Sequence, residues 1–153
     1  PDAEAIALAR QAAMLTFRAP GGINERFREP DAIRDWLAFH GRALAARFTR
    51  ATYLAMLDAM DGHDLGRDRG GVVAALRGMS AELHVLGIDS DQLFVPALVR
   101  RLMDAAREAG CLGSASWIHS PHGHDAFLIE WDQVRPWIAR LAAPSLAAAR
   151  HCS

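Results

Sequence analysis

The sequence predicts an α/β protein with a partial parallel sheet and a helical first half. Three observations predict this class. Helical periodicity runs through residues 1–79, two segments of residues 80–153 read as strands, and a helix separates those strands. A strand–helix–strand unit with a right-handed crossover places its strands parallel. We therefore divide the chain into a helical region, residues 1–79, and a βαβα region, residues 80–153.

The helical region is predicted to contain three helices and a short fourth. Apolar residues of the first recur at helical spacing: Ile6, Ala9, Ala13 and Phe17. The breaker Pro20-Gly21-Gly22 ends this helix. Asp31 is the predicted N-cap of the second helix. The apolar stripe of the second helix is Ile33, Trp36, Leu37, Leu44 and Phe48. Residues 51–60 form the third helix, and a glycine-rich loop leads to a short helix in residues 71–79.

The βαβα region begins with a strand at "AELHVLGI" and continues with a second strand at "SASWIHS". The helix between them has Pro96 in its first turn and Gly110 as its stop. Its predicted buried face is Leu98, Val99, Leu102 and Ala106. The last helix carries the apolar series Phe127, Trp131, Val134, Ile138 and Leu141. Pro136 lies inside that series, so this helix is either kinked or begins near Asp132.

Composition excludes several classes of protein. The 153 residues make one domain or part of a larger one, and 51% hydrophobic residues provide a core. A net charge of −1, spread along the chain, argues against a nucleic-acid partner. No apolar run approaches the length of a membrane span. Cys111 and Cys152 match no motif, so we interpret them as reduced thiols of a cytoplasmic protein.

Three histidines fall within six positions of "HSPHGHDAFL": His119, His122 and His124. Their spacing matches no zinc template, so a metal site is the weaker interpretation. Asp91 lies 33 residues before His124, about the length of one βαβ unit, and both follow strands. A carboxylate that binds one imidazole nitrogen leaves the other free to take a proton. We expect this pair at the carboxyl ends of adjacent strands, although Asp and His are also ordinary strand-end residues.

The segments "GIDSDQLFVP" and "SPHGHDAFLIEW" resemble the C-terminal part of the homoserine O-acetyltransferase family. So do "LARQAAMLTFRAP" and "AMDGHDLGRDRGG", in the same order, and the resemblance runs from about Ile6 to Leu141. It implies the C-terminal portion of an α/β-hydrolase fold with a helical cap. It also implies that Asp91 is the acid and His124 the base of a Ser–Asp–His triad. His119 and His122 then have no chemical role, and Asp89 is a loop residue.

The resemblance implies acyl transfer from acyl-CoA, a co-substrate, to the hydroxyl of L-homoserine in methionine biosynthesis, with no tightly bound cofactor. Arg10 is expected to bind the substrate carboxylate, and Asp125 the ammonium. Phe17 replaces the tyrosine that the family has in this pocket. The structural alternatives are a solvated helix residue for Arg10 and a helix N-cap for Asp125. His63, in a second Gly-His-Asp sequence, is expected to have a structural or pocket-lining role.

The nucleophile of such a triad must precede Asp91, and only Ser80 and Ser90 do, neither between glycines. We therefore expect a missing N-terminal half, a partner chain or self-association to complete the sheet, whose strand edges would otherwise be unpaired. A serine O-acyltransferase or esterase of the same fold is the first alternative. A non-catalytic interaction module is the second.

Overall fold

The computed structural model describes residues 2–149, with the backbone alone at position 30 and from position 143 onward. Five helices come first: α1 (Asp2–Thr16), α2 (Pro20–Arg26), α3 (Pro30–Ala45), α4 (Arg50–Asp61) and α5 (Val72–Arg77). The order then becomes β1 (Leu83–Ile88), α6 (Pro96–Ala109), β2 (Leu112–Ile118), a 3-10 turn (Gly123–Asp125), α7 (Ala126–Ile129) and α8 (Trp131–Ala149). The boundary that we predict near residue 80 stays a prediction.

The two strands form a parallel pair, which confirms the predicted βαβ unit. Their register runs from Leu83 opposite Leu112 to Ile88 opposite Ile118, with one irregularity after Leu83. The second strand begins and ends two residues earlier than "SASWIHS" predicts. Beneath the carboxyl ends of the strands, Ile88 and Ile118 pack with residues of the last two helices in a small core, completed by Ala126 and Val134.

Helix α2 was not predicted from the sequence. Pro20 stands at its start instead of ending α1, since proline lacks only an N–H that the first turn leaves unpaired. The two glycines after it bring the helix against the loop of residues 119–124, which we call the histidine loop. A Cβ on Gly22 would lie 2.6 Å from His122 Nδ1, and the Gly22 N–H donates to the Pro121 carbonyl at 2.8 Å. This contact joins the helical region to the end of β2.

The predicted start of α3 is wrong. Glu29 is its N-cap residue, and Asp31 lies in the first turn, where it pairs with Arg34 at 3.1 Å. Thr49 caps the N-terminus of α4, because the Thr49 Oγ1 accepts a hydrogen bond from the Thr52 N–H. Helices α1 and α3 pack closely, because Gly41 leaves room for the Ala7 carbonyl. The buried residues of α1 are Ile6 and Met14, so Ala9 and Ala13 lie only at the margin of its inner face.

The predicted buried faces of the later helices are partly wrong. On α6, Met103 and Ala106 are buried, whereas Leu98 and Leu102 are exposed. On the last two helices Val134 is buried, but Phe127, Trp131 and Ile138 are exposed. The physical reason is the size of the sheet. Two strands cover only part of the apolar surface that these helices present.

Helix α8 begins at Trp131 and continues through Pro136, which falls in its second turn. The start near Asp132 is thus confirmed to within one residue. Gly110 ends α6 with a left-handed φ of 77°, as predicted. Cys111 is a free thiol, and Cys152 lies outside the described residues. Over the described part of the chain, no helix is both long and apolar enough to cross a lipid bilayer.

Candidate active site

Asp91 and His124 meet at the carboxyl ends of the two strands. The His124 Nδ1–H donates to Asp91 Oδ2 at 2.8 Å. The side chain of Asp91 is 3% exposed and that of His124 is 22% exposed. The contact expected from their spacing is therefore present. It leaves His124 Nε2 as the nitrogen available to exchange a proton with a bound molecule.

The Asp91 carboxylate is held by the backbone that follows β1. Its Oδ1 accepts from the N–H groups of Leu93 and Phe94 at 2.8 and 2.9 Å. Both oxygens thus have partners, one from the loop and one from the imidazole. Buried carboxylates need such donors because burial removes the hydration of the charge. The loop therefore orients the carboxylate toward His124.

His124 is positioned by a turn that only glycine fits. Gly123 has a φ of +69°, and a Cβ there would lie 2.4 Å from the Ala19 nitrogen. The Asp125 N–H donates to the Phe17 carbonyl at 3.1 Å. The segment between α1 and α2 therefore packs directly on the turn that carries His124. Sequence inspection identified the Gly-His-Asp motif but not this contact.

A second Asp–His pair lies beside the first. The His119 Nδ1–H donates to Asp89 Oδ2 at 2.8 Å, and the Ser120 N–H donates to Asp89 Oδ1 at 3.2 Å. Burial opposes ionisation of Asp89, but the hydrogen bonds and charge of His119 and the Ser120 N–H outweigh it and lower the pKa of Asp89. This pair was not predicted from the sequence, where His119 had no chemical role and Asp89 was a loop residue.

Several other polar groups of the histidine loop have hydrogen-bond partners, whereas the buried His122 Nδ1 has none among the described residues. The Ser120 hydroxyl donates to Glu130 at 2.7 Å and accepts from the His122 N–H at 3.2 Å. The backbone of His119 exchanges two hydrogen bonds of 2.9 Å with the Gln133 side chain. Within residues 2–149, no three His, Cys, Asp or Glu side chains converge on a point that could hold a metal ion.

Aromatic rings surround His124. Its centroid lies 6.1 Å from Phe17, 5.1 Å from Phe94 and 5.7 Å from Phe127. The Arg10 guanidinium lies over the Phe17 ring, 5.3 Å from the ring centroid. Arg10 therefore lies next to Phe17, which in turn lies beside His124, on the side of the site formed by the helical region. This arrangement agrees with the i, i+7 alignment of Arg10 and Phe17 on one helical face.

Asp125 lies beside Arg18, a residue that was not predicted to belong to the site. Arg18 Nε lies 2.8 Å from Asp125 Oδ2, and both side chains are largely buried. Arg18 Nε has no hydrogen-bond partner in the part of the chain that the structure describes, despite this short distance, so the contact is an ion pair only. Asp125 does not cap a helix with its side chain. Nothing in the sequence indicated that Arg18 belongs to the site, except its position next to Phe17.

More cations surround His40 on α3. The ring of His40 lies 4.9 Å from that of Trp36. The guanidinium groups of Arg18 and Arg26 also lie over the Trp36 ring, at 5.8 and 5.5 Å from its centroid. Burial lowers the pKa of His40, and the charges of three arginines lower it further, against a smaller opposite effect of Asp125. The helical region therefore presents a surplus of positive charge next to Asp125.

The imidazole of His124 opens into a cleft of about 480 Å³. Apart from Asp91 and His124 its lining is mainly apolar: Val85, Leu86, Gly87, Ile88, Phe94, Leu98, Val99, Leu102 and Phe127. The exposed leucines of α6 lie on this cleft. An ionisable pair at the edge of an apolar cleft is the usual form of a small-molecule site.

The predicted substrate-binding residues Arg10, Phe17 and Asp125 do not line this cleft. Two other candidates also lie away from it. Ser80 is exposed before β1. His63 is exposed after α4, where its neighbour Asp64 binds the Gly66 N–H in a turn. Ser90 does lie at the site, and its hydroxyl accepts from the Gly123 N–H at 3.0 Å.

The sequence is similar to curated enzymes. It is 41% identical over 151 residues to the homoserine O-acetyltransferase of Clavibacter michiganensis. That alignment covers 89% of this chain and 38% of that enzyme. It is 44% identical over 136 residues to the homoserine O-acetyltransferase of Thermus thermophilus, with 88% and 34% covered. The chain thus spans little more than a third of the length of these relatives. No family model matches the sequence.

Solved structures share the fold. The homoserine O-acetyltransferase of Staphylococcus aureus superposes with a TM-score of 0.68 at 25% identity, over 91% of this chain and 41% of that one. Esterase E22 superposes with a TM-score of 0.70 at 14% identity, over 88% and 41%. The second likeness concerns the fold alone. Together they identify the architecture as part of an α/β-hydrolase fold, as the sequence predicts.

Proposed function

We propose, from the premise that this chain is homologous to part of the homoserine O-acetyltransferase family, that it supplies the acid and base of an acyl-transfer triad. The observation that carries the proposal is the 2.8 Å hydrogen bond between His124 and the buried Asp91. The acyl group would come from acyl-CoA and pass to the hydroxyl of L-homoserine. The serine nucleophile and the oxyanion-hole donors would come from a segment outside these 153 residues.

The proposed reaction has two halves. In the first, His124 Nε2 takes the proton of the serine hydroxyl while the serine oxygen forms a bond to the thioester carbonyl carbon. The carbon–sulfur bond then breaks, and the imidazolium returns the proton to the CoA sulfur. In the second half, His124 takes the proton of the substrate hydroxyl, whose oxygen attacks the acyl-serine. Breaking the serine ester bond releases the acyl ester and returns the proton to serine. Asp91 stabilises the imidazolium in both halves.

The substrate's charged groups would bind on the helical side of the site. Arg10 is proposed to contact the carboxylate and Asp125 the ammonium, with Phe17 as an apolar wall. Since Arg18 already lies 2.8 Å from Asp125, the ammonium would have to share or replace that partner. The setting that we propose is amino-acid biosynthesis, the synthesis of methionine in particular, in the cytoplasm.

The test is an assay of CoA release from acetyl-CoA and L-homoserine by a protein that joins this chain to the serine-bearing part of the fold. We expect turnover that His124→Ala abolishes. A full-length protein without homoserine-dependent CoA release would contradict the proposal. Replacing homoserine by L-serine or by 4-nitrophenyl acetate distinguishes the two alternatives of the same fold, a serine O-acyltransferase and an esterase.

The contribution of charge recognition can be measured in the same assay. Arg10→Gln and Asp125→Asn should each raise the KM for homoserine by about tenfold or more, because each removes a charged hydrogen bond to the substrate. Hydrolysis of the uncharged ester 4-nitrophenyl acetate should change little. An equal loss on both substrates would show that these residues stabilise the fold and do not recognise the amino acid.

A further inference from the structure

The three residues after β1 contact the histidine loop one after another. Backbone pairing of the two strands ends where the Asp89 N–H donates to the Ile118 carbonyl at 3.1 Å. Beyond that point side chains continue the connection. Asp89 binds His119 and Ser120, Ser90 binds Gly123, and Asp91 binds His124.

The order of these contacts follows from the parallel arrangement of the two strands. The segment Asp89–Asp91 and the loop 119–124 leave the sheet in the same direction, because the strands are parallel. Each successive residue of the first segment reaches a later point of the loop. The side-chain hydrogen bonds thus continue the connection between the two segments beyond the sheet. They span three residues after β1 and six residues after β2.

We propose that Asp89 and Ser90 are positioning residues for His124. Whether this positioning serves catalysis rests on the proposed role of His124 as the base. The distance from Nδ1 to Asp91 depends on where the loop holds the imidazole. Ser90 fixes the residue immediately before His124, at 3.0 Å from Gly123 N. Asp89 fixes the start of the loop with both of its oxygens.

The loop 119–124 is held both from the helical side and from the end of β1. On the helical side, Gly123 touches the backbone of Arg18 and Ala19, which limits how close the loop can come. On that side two backbone hydrogen bonds, from the Gly22 N–H to the Pro121 carbonyl and from the Asp125 N–H to the Phe17 carbonyl, also restrain movement of the loop along the strand direction. The N–H bonds to Ser90 and Asp89 oppose that movement, since hydrogen bonds weaken steeply when their angle changes.

The test uses a protein that joins this chain to the serine-bearing part of the fold, and it follows a spectroscopic signal of the base itself. The Nδ1 proton of His124 in its bond to Asp91 is followed by NMR, together with the exchange rate of the Gly123 amide. Ser90→Ala should raise the Gly123 exchange rate by about threefold to tenfold, the value of one neutral hydrogen bond. In the same variant, and in Asp89→Ala, the His124 Nδ1 proton should move upfield and broaden.

Conservative and distant variants complete the design. Ser90→Thr retains a hydroxyl and should restore the His124 signal. Ser114→Ala removes a comparable bond, the 2.9 Å contact with His84 Nδ1, at the other end of the same strands, and should leave His124 unchanged. An unchanged His124 signal in both Ser90→Ala and Asp89→Ala would overturn the proposal, even if Gly123 exchanged faster, because the two residues would then have a structural role only.

Kinetics separates this proposal from the proposed function. In the same protein, Ser90→Ala should lower kcat by about threefold to tenfold with little change in the KM for homoserine. If that protein shows no acyl transfer at all, the proposed function fails. The NMR measurement still decides the positioning of His124, since it requires no turnover.

Discussion

The structure contains two Asp–His pairs of the same length in different surroundings. Both join Nδ1 to Oδ2 at 2.8 Å, and both bridge the end of β1 to the loop after β2. The side chains of Asp91 and His124 are 3% and 22% exposed, whereas those of Asp89 and His119 are 45% and 77% exposed. Water screens the outer pair and competes for its hydrogen bond, so equal geometry does not mean equal energy.

The comparison explains which pair can serve as an acid–base unit. Asp91 has two backbone donors and little contact with water, so its charge acts on His124 with little screening. Asp89 shares its charge with solvent, and its clearer contribution is to hold the loop.

The largest difference is expected in catalysis. In a protein that combines this chain with the serine of the fold, Asp91→Asn should reduce kcat by about 10⁴-fold, because the neutral amide no longer stabilises the imidazolium and favours the wrong tautomer. Asp89→Asn should reduce it by about tenfold or less. Measured kcat values for the two variants with acetyl-CoA and homoserine decide this. Similar losses in both would contradict the division of roles.

The next difference is in stability. Asp91→Ala should lower the free energy of unfolding by about 1–3 kcal/mol, because the N–H groups of Leu93 and Phe94 lose their acceptor and His124 loses its buried partner. Asp89→Ala should lower it by at most about 1 kcal/mol, as for other exposed ion pairs. Urea denaturation followed by circular dichroism gives both values. Equal losses would show that solvent exposure does not separate the pairs.

A smaller effect is expected in acid. The pKa of Asp89 is lowered in the folded protein, so its ionised form stabilises the fold above the ordinary value of 3.8. That contribution is lost as pH falls from this value through the lowered pKa. Asp89→Asn should therefore make stability less dependent on pH below about 4, as measured by urea midpoints from about pH 2 to 5. Unaltered acid dependence would mean that His119 does not stabilise the carboxylate.

His40 provides the opposite case, a histidine beside arginines and not beside a carboxylate partner. Its pKa lies below the ordinary 6.5, so the unfolded chain binds the proton first as pH falls. Stability should thus decrease as pH falls from 6.5 through the lowered pKa. His40→Gln should remove this part of the pH dependence, measured by thermal midpoints between about pH 5 and 7.5. A wild-type curve that is flat there would contradict it.

The sequence by itself determined the elements with strong local signals. Helical periodicity predicted α1, α3 and α4, and the alternating segments predicted a parallel pair of strands. The left-handed stop at Gly110 followed from glycine's freedom of φ. The contact of Asp91 with His124 was also predictable, since parallel strands bring residues about one βαβ unit apart to the same edge.

Tertiary structure alone decided the rest. The glycines of helix α2 pack on the histidine loop, a contact between positions about a hundred residues apart that no local pattern reveals. The pairing of Asp125 with Arg18, and of Asp89 with His119, depends on how two segments lie across one another. The exposure of Leu98 was likewise undetermined, because periodicity shows that a helix has an apolar face and not what covers it.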